Sequence, residues 1–323
     1  MQELIVKELE ANQRLDKFLH KYLKEAPNSF LYKMMRKKNI VLNGKKVTGN
    51  EMVQCGDTVK LFLSDETIEK FRGVSSVQTD TAIYEKAFRQ FKHITVVAEF
   101  EDVLFIDKPV GVLSQRAEGN EFSANEWLIG YLLDKKVLCK ADLNTFKPSV
   151  CNRLDRNTSG LLICSKTLTG SQVMSRLLNE RTVHKYYQCL VKGSCRLDGI
   201  FEAFLYKDDK NNKVSIYDSF DLIPAEYKAL AKPIKTGVRP LSEENGYTLL
   251  EIELFTGKTH QIRAQMEHLG FPLVGDVKYS GNEVLSKTTG QKLHAYRLVF
   301  PEMKDKCTYL SEKEIVCNKK FVV

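Results

Sequence analysis

No apolar run in this 323-residue chain exceeds about four residues, as at positions 103–106 and 161–164. A membrane-spanning helix needs about 20. The chain therefore has to bury its apolar residues a few at a time, from short strands and amphipathic helices. Its 43% hydrophobic and 28% charged residues are ordinary for a globular protein. Its length predicts about two domains at roughly 150 residues each. The start, Met1-Gln2-Glu3-Leu4, places an acid early and has no apolar stretch of signal-peptide length, so a cytoplasmic location is expected. The eight cysteines include no Cys-x-x-Cys pair, and a disulfide framework belongs to short secreted chains. Reduced, structural thiols and no metal centre are expected.

Charge gives the first functional signal. Ten bases and only two acids, Asp16 and Glu25, lie between residues 14 and 46. Their net +8 equals the excess of the whole chain. Concentrated positive charge suits a polyanion partner, although a solvated lysine-rich face has the same composition. Leu15, Phe18, Leu19 and Tyr22 have helical spacing. Pro27-Asn28-Ser29 breaks the pattern, and Ser29 is a candidate cap for a second helix carrying Leu31, Met34 and Met35. Asn43-Gly44 after Ile40-Val41-Leu42 signals a hairpin, and a strand is expected at 58–63. The stretches Arg14-Leu15-Asp16-Lys17-Phe18-Leu19, Ile40-Val41-Leu42-Asn43-Gly44-Lys45 and Gly56-Asp57-Thr58-Val59 resemble the RNA-binding module named after ribosomal small-subunit protein four. The resemblance makes 1–63 a recognition module, with Arg14, Lys17, Arg36, Lys37 and Lys38 as candidate RNA contacts.

Residues 64–92, with Gly73-Val74-Ser75-Ser76, turn polar and read as a linker with one helix near 82–91. Residues 93–323 alternate short strands and helices. Strands are expected at 95–98, 103–107, 160–164, 187–192, 248–255 and 297–300, within one α+β domain.

Three stretches in that domain carry candidate chemistry. Asn152-Arg153-Leu154-Asp155-Arg156-Asn157-Thr158-Ser159-Gly160 sets one carboxylate between two arginines, ahead of a buried strand. Neighbouring guanidinium groups hold an aspartate ionised, and a positioned carboxylate is a nucleophile or base; a structural cap is the plainer reading. Lys185-Tyr186-Tyr187 opens a strand and offers rings for stacking on a base, or simply an amphipathic start. Gly257-Lys258-Thr259-His260-Gln261-Ile262-Arg263 joins a strand to a helix expected over 259–269. It is no phosphate loop, because Ile252 occupies the place of the required first glycine.

Together, Arg153-Leu154-Asp155-Arg156 with Thr158-Ser159-Gly160, Lys185-x-Tyr187 through Gly193, and 257–263 with Val274-Gly275-Asp276 closely resemble the RluA-type pseudouridine synthases. Glu101-Asp102, Lys108-Pro109-x-Gly111 and Leu293-His294-Ala295 match further landmarks. Asn152 and Asn157 depart from the family's usual histidine and aspartate. The resemblance implies isomerisation of uridine in RNA to its carbon-glycoside, without cofactor or metal. Asp155 would be the catalytic carboxylate, Tyr187 would stack on the base and assist removal of the carbon-5 proton, and Arg263 would pair with Asp155. Arg153 would fill the gap left by the flipped nucleotide, and Arg156, Lys185, Lys258 and His260 would contact RNA. Leu154 and Ile262 would pack.

The expected molecule is thus α+β: a small α/β RNA-binding module and a catalytic domain on a mixed, largely antiparallel sheet flanked by helices. It is expected to act as a monomer on structured RNA, with large-subunit ribosomal RNA as the foremost target. The rivals are a transfer-RNA modifier of the same family and a non-catalytic RNA-binding or ribosome-assembly factor.

Overall fold

A computed structural model describes residues 1–72, 81–116, 121–208, 211, 213–280, 290–318 and 321. Eleven of the strands form one sheet. Along its main path it runs from the edge strand Lys213–Tyr217 through Gly199–Asp208, Lys232–Glu244, Tyr247–Leu254, His184–Lys192, Leu293–Val299, Ser159–Ser165 and Val103–Lys108 to Thr95–Glu99. Among the described strands of this sheet, only Ser159–Ser165 and Leu293–Val299 pair in parallel. The expected mixed, largely antiparallel α+β architecture is what the chain adopts.

The centre of the sheet is covered on both faces. Ser159–Ser165 is buried at every position, and its side chains alternate between two clusters. Leu162 and Cys164 join Leu104, Ile106, Trp127 and Leu128, whereas Leu161 and Ile163 join Val103, Phe105, Met174 and Leu298. This is the period of two that a strand imposes. Gly160, opposite Ala295 in the parallel pair, has φ +113, and a Cβ there would lie 2.2 Å from the Ala295 carbonyl. Only glycine permits that approach.

The N-terminal residues have their own core, with Leu15, Phe18, Leu19, Leu31, Met35, Ile40, Val59 and Leu61 among its members. Helices Leu15–Tyr22 and Asn28–Arg36 pack on a four-stranded sheet ordered Gln2–Ile5, Thr58–Leu61, Ile40–Leu42, Lys45–Lys46. The second helix begins two residues earlier than expected: Pro27, not Ser29, is its N-cap, and Ser29 lies in its first turn.

The segment expected as a linker is largely helical. Helix Asp65–Arg72 contributes Ile68 and Phe71 to the N-terminal core, with Phe71 and Phe30 ring centroids 4.4 Å apart. Helix Ala82–Gln90 packs Tyr84 and Phe88 against Trp127 and Tyr131 of helix Ala124–Asp134. The second of these was expected; in the first, charged residues between single apolar ones gave a loop-like composition. Gly73-Val74-Ser75-Ser76 lies outside the described residues. Long strands Gly199–Asp208 and Lys232–Glu244 were also missed, because both are largely solvent-facing and show little apolar alternation.

Candidate active site

Asp155 sits in an irregular loop immediately before Ser159–Ser165, and the fold pins that loop at successive backbone groups. The Lys108 ammonium, fully buried, donates to the carbonyls of Pro109 (3.1 Å), Val112 (2.8 Å) and Arg156 (3.1 Å). The Gly111 N–H also donates to the Arg156 carbonyl, at 2.9 Å. Ser114 Oγ donates to the Leu154 carbonyl (2.8 Å) and accepts from the Leu154 N–H (2.9 Å). Asn152 Oδ1 accepts from the Ile163 N–H at 2.8 Å, so this departure from the family pattern still ties the loop to the strand. Such a web holds a reacting group in place without substrate.

The carboxylate itself is oriented from elsewhere in the chain. Arg263, on helix Gln261–His268, donates from Nη1 to Asp155 Oδ2 at 2.9 Å. Its Nε and Nη2 grip Asp276 Oδ2 and Oδ1 at 2.7 and 2.9 Å, the planar fork matched to a carboxylate. The Asp276 side chain is 0% exposed and that of Asp155 29%. Burial opposes the charge on Arg263, but the two carboxylates outweigh it and raise its pKa above the ordinary value. Asp276 thus fixes the guanidinium, and the guanidinium leaves Asp155 partly open to solvent.

His260 precedes that helix in a left-handed conformation, φ 54. Its Nδ1 lies 3.0 Å from the Tyr279 hydroxyl and its Nε2 3.9 Å from Asp155 Oδ2. Burial lowers its pKa, favouring the neutral ring. Tyr279 accepts from the Val214 N–H at 3.1 Å, so a Tyr279 proton on Nδ1 and a proton on Nε2 facing Asp155 satisfies all three groups. Tyr187 is 7% exposed at a bulge where strand His184–Lys192 shifts register against Leu293–Val299. Burial, and then the charge of Asp155, push its phenol well above the ordinary value, so the hydroxyl keeps its proton.

Asp155, Tyr187, His260 and Arg263 line one cavity of about 650 Å³, within the range of small-molecule sites. Arg153, Arg156, Arg181, Lys185 and Lys258 line it too, and Asp155 is its one carboxylate among the described residues. Asp155, Tyr187, Arg263, Arg153, Arg156, Lys185, Lys258 and His260, named from sequence, are therefore brought together. Arg14, Lys17, Arg36, Lys37 and Lys38 are not. They lie exposed in the N-terminal part, and Arg14 spends its guanidinium on Asp16 at 2.7 and 3.1 Å.

One sequence argument needs correction. Neither adjacent arginine bonds Asp155: Arg156 turns outward to Glu121, at 2.5 and 3.2 Å, and Arg263 takes the role. Sequence reasoning also missed what Asp276, Tyr279, Lys108 and Arg181 do. Asp276 stood within a matching landmark, but no spacing rule pairs it with a helix residue thirteen positions earlier. Among the described residues, one cluster has metal-ligand types, Asp107, His294 and Cys317, and none of the three lines the cavity. The His294 nitrogens are engaged by Ser159 Oγ (2.9 Å) and the Cys317 carbonyl (2.7 Å).

Comparison with known proteins agrees with this geometry. Residues 102–268 match the family model described as RNA pseudouridylate synthase. The chain is 28% identical over 300 residues to ribosomal large subunit pseudouridine synthase C of Vibrio parahaemolyticus, covering 90% of this chain and 85% of the relative. It is 30% identical over 307 residues to an uncharacterized RNA pseudouridine synthase of Mycoplasma genitalium, covering 93% and 89%. Among solved structures it resembles human RNA pseudouridylate synthase domain containing 1, with TM-score 0.54, 20% identity, and 71% and 84% of the two chains covered. The fold, the cationic cavity around one oriented aspartate, and these matches lead to one conclusion: the chain belongs to the RNA pseudouridylate synthase family, enzymes that isomerise uridine within RNA.

Proposed function

We propose that the substrate is large-subunit ribosomal RNA, converted at the Asp155 cavity and recognised through the basic N-terminal residues. The observation that carries the catalytic assignment is the Asp155–Arg263–Asp276 chain beside Tyr187, in a cavity whose other charges are cationic. A uridine stacked in a helix cannot reach it, so the nucleotide has to be extruded, at a cost of a few kcal/mol that is least in loops. Arg153, exposed at the cavity, fills the vacated stack. Asp155 then acts on the sugar, by attack on the nucleoside or by starting elimination at the ribose. The carbon–nitrogen glycosidic bond breaks, the uracil turns, and carbon 5 bonds the sugar and loses its proton.

Tyr187 stacks on the uracil through this turn. Because its phenol is held protonated, it can take the carbon-5 proton only by passing on its own, and Asp155 is the anion beside it. Tyr187→Phe keeps the ring and a stacking share of roughly 1–3 kcal/mol. It is expected to bind RNA as before and lose most turnover, roughly 10²-fold or more. Wild-type turnover by the Phe variant would restrict Tyr187 to stacking.

The ribosomal target is supported by the name of the Vibrio relative. The module reading of residues 1–63 is supported by two helices on a small sheet, with Lys17, Arg36, Lys37 and Lys38 exposed. Replacing these four bases with Gln in the full-length chain should make log affinity against log salt shallower by roughly three units, at about 0.7–0.9 per phosphate lost. An unchanged slope in a salt titration would mean the face is merely solvated. The target itself is tested by mapping pseudouridine in ribosomal and transfer RNA from cells with and without the gene. A site lost from ribosomal RNA supports the proposal; one lost only from transfer RNA refutes it.

A further inference from the structure

We propose that Arg181 and Lys185 form a clamp for the phosphodiester next to the extruded uridine. This rests on reading the cavity as the place where that uridine is converted. Both side chains line the cavity, Arg181 after the last turn of helix Leu168–Glu180 and Lys185 on the strand two residues before Tyr187, on the same face of that strand. Neither makes an ion pair or a side-chain hydrogen bond among the described residues, whereas Arg156 and Arg263 at the same cavity are both neutralised by carboxylates. Burial, and then the charge of Arg181, lower the pKa of Lys185. Two cations that disfavour each other, one of them partly withdrawn from water, are stabilised by an arriving anion. In RNA that anion is phosphate.

The backbone supplies a second observation. Arg181 caps its helix in the left-handed region, φ 59, where glycine is the usual residue. Glycine at this position would relax the backbone, so the arginine can be removed without straining the fold.

That conflict makes a clean test. Arg181→Gly removes the cation and relieves the backbone, so thermal melting should show a protein at least as stable as the parent. Total RNA from cells lacking the gene is sparsely ethylated, which neutralises single phosphates, and is then offered to each enzyme in single-turnover reactions. For the parent, an ethyl group on one phosphate beside the converted uridine should block conversion. Arg181→Gly and Lys185→Gln should each convert unmodified RNA roughly ten- to a hundredfold more slowly, and be indifferent to ethylation at that phosphate. Sensitivity at phosphates held elsewhere should persist. Wild-type rates in the variants, or an ethyl group that blocks them as fully as the parent, would overturn the clamp. Conversion is read at whichever uridine is modified. A transfer-RNA site would therefore refute the ribosomal target while the clamp is still judged on its own data.

Discussion

Asp155→Asn should yield a folded protein that binds RNA nearly as well as the parent and makes no detectable pseudouridine. The substitution keeps the side chain's shape and removes its charge, and with it the nucleophile or base, a loss of at least about a thousandfold. The fold should tolerate it for a specific reason. Arg263 loses one acceptor but keeps both bonds to Asp276, so no buried charge is stranded. Asp155 is partly exposed, and the stability change should stay within about 1 kcal/mol. Thermal melting, RNA binding and product analysis on one preparation check all three. Substantial turnover would remove Asp155 from the chemistry, whereas a collapsed protein would make it a structural residue.

Arg263→Ala should fail differently. It strands Asp276, fully buried, with the Lys278 N–H still donating to it at 3.2 Å. Removing one partner of a buried pair costs about 3–5 kcal/mol, a large part of the roughly 5–15 kcal/mol that holds a typical domain together. Both activity and the denaturant midpoint should drop. Replacing the two partners together, Arg263→Met with Asp276→Leu, should recover much of the stability and none of the activity, since no fully buried charge is then left unpaired and Asp155, which also loses its partner, is partly exposed. An Arg263→Ala protein with the parent's midpoint would show that Asp276 does not depend on the guanidinium.

These contrasting outcomes follow from parts of the molecule that sequence reveals unequally. Asp155, Tyr187 and Arg263 were legible because the three stretches that hold them resemble one family together, although each alone had a plainer structural reading, and the fold does bring them to one cavity. The central strands were legible because burial on both sides makes them continuous apolar runs. What failed was partner assignment from proximity in the chain. Arg153 and Arg156 flank Asp155, yet Asp155 bonds Arg263, 108 positions away, a pairing that only the family resemblance implied. Lys108 reads as a surface lysine until three carbonyls are seen converging on it. Arg181 reads as a helix-ending base, and its left-handed backbone appears only in three dimensions. The helix at 65–72 was obscured by charge, since it buries only Ile68, whereas the one at 82–90 was expected.

The glycine opposite Ala295 in the parallel strand pair bears on how any mutational scan of this enzyme should be interpreted. Position 160 should reject every side chain, because the Ala295 carbonyl occupies the space a Cβ would need. In a survival or reporter screen it would score as harshly as Asp155, five residues away. The two losses differ in abundance: substitutions at 160 should deplete the protein from the cell, whereas Asp155→Asn should accumulate to normal levels and do nothing. Intolerance alone would nominate both as catalytic, and measuring the amount of protein alongside its product would separate them.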